Sequence, residues 1–210
     1  MPSSKFDAAF AALPLVAILR GIRPDEVEAI ALRLYEQGFR LIEVPLNSPQ
    51  ALDSIARLAR CLPADALLGA GTVLSPDAAD RVREAGGELI VMPHADTRVI
   101  AHVKAQGLSC VPGAATPTEA LACVEAGADA VKLFPAELLT PVVVKAMRAV
   151  LPPDLRLLPV GGITPAAMAA YRAAGAAGFG LGGALYAPGM TAAEVAERAR
   201  GFVSSYANSR

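Results

Sequence analysis

One structural unit recurs along this chain and leaves few folds open to it. Eight short apolar runs are each followed by a helical pattern: Leu15 to Arg20, Leu41 to Leu46, Leu67 to Val73, Leu89 to Pro93, Ser109 to Gly113, Ala130 to Pro135, Leu155 to Val160 and Gly178 to Gly182. Helix starts are signalled at Ser48-Pro49, Ser75-Pro76, Thr116-Pro117, Thr140-Pro141 and Thr164-Pro165, where a capping hydroxyl precedes a first-turn proline. Thr191 with Glu194 reads as a capping box for the last helix. Gly38, Gly86, Gly107, Gly127 and Gly175 stand at helix ends. Strands that alternate with helices and are apolar on both faces belong to a parallel sheet covered by helices. Eight units in one domain-sized chain close most simply into a single-domain α/β structure, a (β/α)8 TIM barrel spanning residues 1–210. A doubly wound open sheet is the alternative, but Leu19-Arg20-Gly21-Ile22 follows the first run where a GxGxxG would be expected. Phe6, Phe10 and Leu13 predict a short amphipathic N-terminal helix.

Composition narrows the partners. At 210 residues and 54% hydrophobic the chain can bury a substantial core, and its net charge of -1 offers no footprint for nucleic acid or an anionic membrane. The expected ligand is a small molecule. Cys61, Cys110 and Cys123 are odd in number and widely spaced, which suggests neither disulfides nor zinc and fits the cytoplasm. The N-terminal stretch, broken by Pro14 and Arg20, reads as neither a secretory signal nor a membrane span.

Chemistry in such barrels sits at the C-terminal ends of strands, so polar residues there are the candidates. Lys132 lies inside the apolar run Ala130 to Pro135; alternation puts Ala130, Lys132 and Phe134 on one face and Val131 and Leu133 on the other. Desolvation favours the neutral amine, a nucleophile able to form a Schiff base with a carbonyl. In the second run Leu41, Glu43 and Pro45 share a face, which points Glu43 into the barrel. A carboxylate beside an amine suits proton transfer, though the same pair would serve equally as an internal salt bridge. Arg20 and Thr72, at the ends of the first and third runs, suit a substrate carboxylate. Pro93, closing the fourth run, and Phe134 are counted among the substrate contacts. Gly161-Gly162 and Gly182-Gly183 end the last two runs just before helical segments, where backbone amides bind phosphate. His94 and His102 have no partner at metal-ligand spacing and receive no role; His94 is expected on a surface loop.

Together, Arg20, Glu43-Val44-Pro45-Leu46-Asn47-Ser48, Gly69-Ala70-Gly71-Thr72-Val73, Lys132-Leu133-Phe134-Pro135 and Val160-Gly161-Gly162 resemble the class I aldolases of 2-keto-3-deoxy-6-phosphosugar acids, in order and over nearly the whole chain. The resemblance implies a metal-independent lyase without cofactor, acting as a homotrimer on a phosphorylated 2-keto-3-deoxy sugar acid. Lys132 would be its Schiff-base lysine, Glu43 its general acid/base, Arg20 and Thr72 its carboxylate or polar-chain contacts, and the four glycines its phosphate site. Phosphogluconate-specific members carry Thr-Leu-Arg where this chain has Pro45, Leu46 and Asn47, and a serine is common where it has Gly183. The alternatives are an aldolase of the same mechanism acting on the phosphogluconate or 4-hydroxy-2-oxoglutarate compound, a phosphate-binding barrel isomerase, and a noncatalytic sugar-phosphate binding protein.

Overall fold

The computed structural model describes residues 4–209. Helix α1 (Lys5–Ala12) leads into β1 (Leu15–Ile18), after which helices and strands alternate: α2 (Val27–Glu36), β2 (Leu41–Pro45), α3 (Ala51–Cys61), β3 (Leu67–Gly71), α4 (Pro76–Glu84), β4 (Leu89–Val91) and α5 (Thr97–Ala105). The fifth expected run is split into β5 (Ser109–Val111) and β6 (Gly113–Ala114), because Pro112 interrupts it. There follow α6 (Pro117–Glu125), β7 (Val131–Leu133), α7 (Pro141–Arg148), β8 (Leu157–Pro159), α8 (Met168–Ala173), β9 (Phe179–Leu181) and α9 (Ala192–Asn208).

All strand pairings are parallel. Six strands form one sheet in the order β5-β4-β3-β2-β1-β9, and three form another in the order β6-β7-β8. The sheets meet where the chain runs through Pro112 and at a parallel bridge between Val160 and Gly180. The result is a barrel-like α/β structure with helices outside.

Side-chain alternation sorts the core into two clusters. Outward residues such as Leu15, Ala17, Ile42, Val44, Val131, Leu133, Phe179 and Leu181 pack against the helices. Inward residues Val16, Leu41, Leu67, Leu89, Val91, Val111, Ala130 and Leu158 form a separate interior layer. Phe6 and Ala9 of α1 join that layer, so the N-terminal helix plugs the end of the barrel opposite the strand C-termini. Burying a side chain like Phe6, only 1% exposed, contributes about 2 kcal/mol.

Ser75, Thr116 and Thr191 cap their helices as expected, the last two in full capping boxes. Thr140 and Thr164 stand at the cap position without a side-chain bond. Ser48 caps nothing: its buried hydroxyl accepts the Gly21 amide at 2.9 Å, and α3 starts later, behind Gln50.

Candidate active site

Lys132 and Glu43 both point into the barrel, one layer above its apolar floor. Parallel register pairs Ile18 with Glu43, Glu43 with Gly69, and Lys132 with Gly113 and Leu158. Lys132 rises through Val16, Ile18, Val91, Val111, Leu158 and Val160, and is 5% exposed. Burial pushes its amine below the ordinary lysine value, the Arg20 cation pushes the same way, and the Glu43 carboxylate opposes both. Its Nζ stands 4.6 Å from the centre of the Phe134 ring, which packs the amine without solvating it as a carboxylate would.

Glu43 is 1% exposed, and burial pushes its carboxyl up from 4.5 to about 7. Lys132, Arg20 and the Gly71 amide each offset part of that rise. Oε2 has no hydrogen-bond partner among the described residues, and no ion pair joins Glu43 to Lys132. A buried carboxyl oxygen without a partner is uncommon and costs stability, a pattern typical of sites kept for chemistry. Gly71 makes room for it: a Cβ there would collide with both carboxyl oxygens and Cδ of Glu43.

Above the pair opens a cleft of about 360 Å3, lined in part by Arg20, Lys132, Phe134, Gly161, Gly162, Gly182 and Gly183. Seven of the ten residues expected from the sequence therefore share one wall. Arg20 Nη1 donates to Asn47 Oδ1 at 2.9 Å, so the residue after Leu46 fixes the guanidinium at the rim. Gly161 and Gly162 adopt φ of 115° and 61°, backbone that favours glycine. At Gly182 and Gly183 a Cβ would meet nothing within 4 Å, so packing does not demand glycine there and the space in front belongs to the cleft. The Gly162 and Gly183 amides donate to no main-chain carbonyl among the described residues.

Two features differ from expectation. A helical segment follows the first glycine pair as expected, a 3-10 turn (Pro165–Ala167) running into the six-residue α8, but not the second. A single turn follows the second, with Leu185 and Tyr186 amides donating to Gly182. Any anion would therefore meet turn amides rather than a long helix dipole. His94 lies on the β4 to α5 connection, but it is half-buried rather than exposed, and its Nδ1 is buried without a partner among the described residues.

Thr72 and Pro93 stand at the ends of β3 and β4 but do not line the cleft. Thr72 adopts φ 57°, a strained conformation for a β-branched residue. Glu43 is buried and is not part of the lining. Sequence reasoning missed Asn47 as the Arg20 partner, although it lies inside a motif already singled out. It also missed Glu137, a cleft-lining carboxylate on an irregular connection where no periodicity assigns a direction. A second cleft of about 380 Å3, beside Ser48, Asp53 and Arg81, has no lysine in its wall to form an imine.

An amine held toward neutrality, a carboxyl near 7 and a glycine-walled cleft are a sufficient set for imine chemistry on a small anionic substrate. Residues 6–199 match the family described as KDPG and KHG aldolase. The chain belongs to the KDPG and KHG aldolase family. Among its relatives, the probable 2-dehydro-3-deoxy-6-phosphogalactonate aldolase of Rhizobium meliloti (strain 1021) is 46% identical, covering 92% of this chain and 91% of the relative. The 2-dehydro-3-deoxy-6-phosphogalactonate aldolase of Escherichia coli (strain K12) is 44% identical, covering 92% and 95%. A solved native KDPGal structure superposes with a TM-score of 0.92 at 44% identity, over 94% of this chain and 96% of the other.

Proposed function

We propose that this chain is a class I aldolase that cleaves 2-dehydro-3-deoxy-6-phosphogalactonate to pyruvate and D-glyceraldehyde 3-phosphate in galactonate breakdown. The observation that carries this reading is the desolvated Lys132 amine, electrostatically coupled to the buried Glu43 carboxyl but not bonded to it.

In this mechanism Lys132 Nζ adds to the C2 ketone, and loss of water gives a protonated imine. Glu43 takes the C4 hydroxyl proton through a water, the C3–C4 bonding pair flows into the iminium, and the phosphorylated aldehyde departs. The enamine of pyruvate remains on Lys132. Glu43 returns the proton to C3, and water hydrolyses the imine to release pyruvate and restore the amine. Arg20, held by Asn47, faces the polar chain or the carboxylate, Phe134 packs the pyruvyl half, and the glycines at 161, 162, 182 and 183 receive the phosphate; Thr72 and Pro93, at the ends of β3 and β4 outside the cleft lining, keep the substrate-contact role that the sequence suggests.

Residues 1–210 form a single domain in this reading, and counting β5 and β6 as one strand broken at Pro112 makes a (β/α)8 barrel, closed by the Val160 to Gly180 bridge. A homotrimer is proposed from the family resemblance; Leu138 on the β7 to α7 connection and Val142 in the first turn of α7, 74% and 79% exposed, are apolar surface such an assembly would cover. Three free cysteines, two of them buried, support a cytoplasmic location.

The substrate assignment is tested by comparing kcat/KM for cleavage of the phosphogalactonate and phosphogluconate epimers. A clear preference for the former is expected. Equal rates, or preference for the latter, would replace the assignment with the phosphogluconate reading.

A further inference from the structure

The glycine turn proposed to receive phosphate carries a carboxylate of the chain's own. Glu137, four residues beyond β7, is exposed and lines the same cleft as Lys132. Its side chain lies against the turn: a Cβ on Gly161 would meet Oε2, with Cδ at 2.9 Å and Oε1 at 3.1 Å. A Cβ on Gly162 would find Cγ at 3.2 Å and Oε1 at 3.3 Å. Among the described residues no cation pairs with Glu137 and no donor bonds to it. The carboxylate thus rests beside backbone it does not need, held by little more than van der Waals contact. Turning it toward solvent breaks no bond, whereas leaving it in place beside a phosphoryl dianion sets like charges a few ångströms apart.

We infer that Glu137 guards the phosphate end of the cleft: its carboxylate occupies the approach to the Gly161-Gly162 turn and must be displaced by the incoming phosphoryl group. The inference rests on the aldolase reading above. It makes Glu137 a specificity-determining residue that separates tethered from untethered phosphate. A free anion has only the turn to hold and meets the like charge of the carboxylate beside it. A substrate bound through its imine to Lys132 presents its phosphate intramolecularly, at high effective concentration, and displaces Glu137. Once the C3–C4 bond is broken the phosphorylated aldehyde loses that tether. The returning carboxylate then favours its departure.

The test is calorimetric titration with inorganic phosphate, at fixed ionic strength, of the wild-type protein, Glu137→Gln and the control Glu125→Gln, which alters an exposed carboxylate of α6 outside the cleft. Glu137→Gln is expected to bind phosphate about tenfold more tightly, the scale of one like charge in a partly screened cleft. The control should match wild type, and the gain should shrink as salt is raised. Inhibition of cleavage by phosphate should strengthen in parallel. Unchanged or weaker phosphate binding by Glu137→Gln, or no binding by any of the three proteins, overturns the guard. Borohydride trapping of pyruvate, run on the same samples, separates the two readings: normal trapping with unchanged phosphate affinity removes the guard alone, while absence of trapping in wild type removes the aldolase mechanism beneath it.

Discussion

Replacing Glu43 with glutamine should make the protein more stable in base and leave it unchanged in acid, because the carboxyl is held where water would have kept it charged. Its folded-state value of about 7 lies above the ordinary 4.5, so the folded chain binds this proton more tightly than the unfolded chain does. The penalty is therefore absent below pH 4.5, grows between pH 4.5 and about 7, and is complete above that. At about 1.4 kcal/mol for each pH unit, the interval corresponds to about 3 kcal/mol. Glutamine keeps the shape and cannot ionise. The gain has about 3 kcal/mol as its ceiling, since losing the Glu43 anion also removes the charge that favours the Lys132 ammonium. For a chain of this size that ceiling is about 6 to 12 °C in Tm. Thermal unfolding of both proteins by circular dichroism at pH 4, 7 and 9 measures it. Glu43→Gln should melt with wild type at pH 4 and above it at pH 9, while cleavage falls by about a hundredfold to ten-thousandfold. A Tm difference of the same size at every pH, or a loss of stability at pH 9, would refute the reasoning.

Two further substitutions probe how neighbours hold the site. Gly71→Ala puts a methyl group where the Glu43 carboxyl lies; kcat should fall at least about tenfold and stability by about 1–3 kcal/mol, read by steady-state kinetics and urea unfolding. Thr72→Gly relieves the φ of 57° and should stabilise the protein by about 1 kcal/mol in urea while raising KM for pyruvate in the condensation direction; no gain in stability would mean that Thr72 is not strained.

Period-two alternation is the reason the centre of the site was legible in the sequence. Inside a strand, Lys132 and Glu43 have only two directions available, and the identity of their neighbours chooses between them: Val131 and Leu133 join the helix-facing cluster, and Ala130 and Leu41 join the interior one. Glycine pairs at strand ends were legible for a similar reason, since few other residues adopt the backbone found at Gly161 and Gly162. Alternation stops where the strand stops. Asn47 reaches Arg20 across a turn, and Glu137 lies back on the Gly161-Gly162 turn from a connection of irregular backbone, so neither direction follows from spacing. Local signals also misplaced the start of α3: Ser48-Pro49 has the pattern of a cap, but the Ser48 hydroxyl is taken by the Gly21 amide, a contact made across the fold. The split of the fifth strand was written in the sequence as Pro112, which lacks the amide that a continuous ladder needs.

Every step proposed for this site follows from Lys132 forming a covalent imine. Borohydride reduction in the presence of pyruvate, followed by peptide mapping by mass spectrometry, tests this directly. A pyruvate-derived adduct on the Lys132 peptide, absent from Lys132→Ala, is the predicted result. Folded protein that gives no adduct, or an adduct on another lysine that persists in Lys132→Ala, would contradict it.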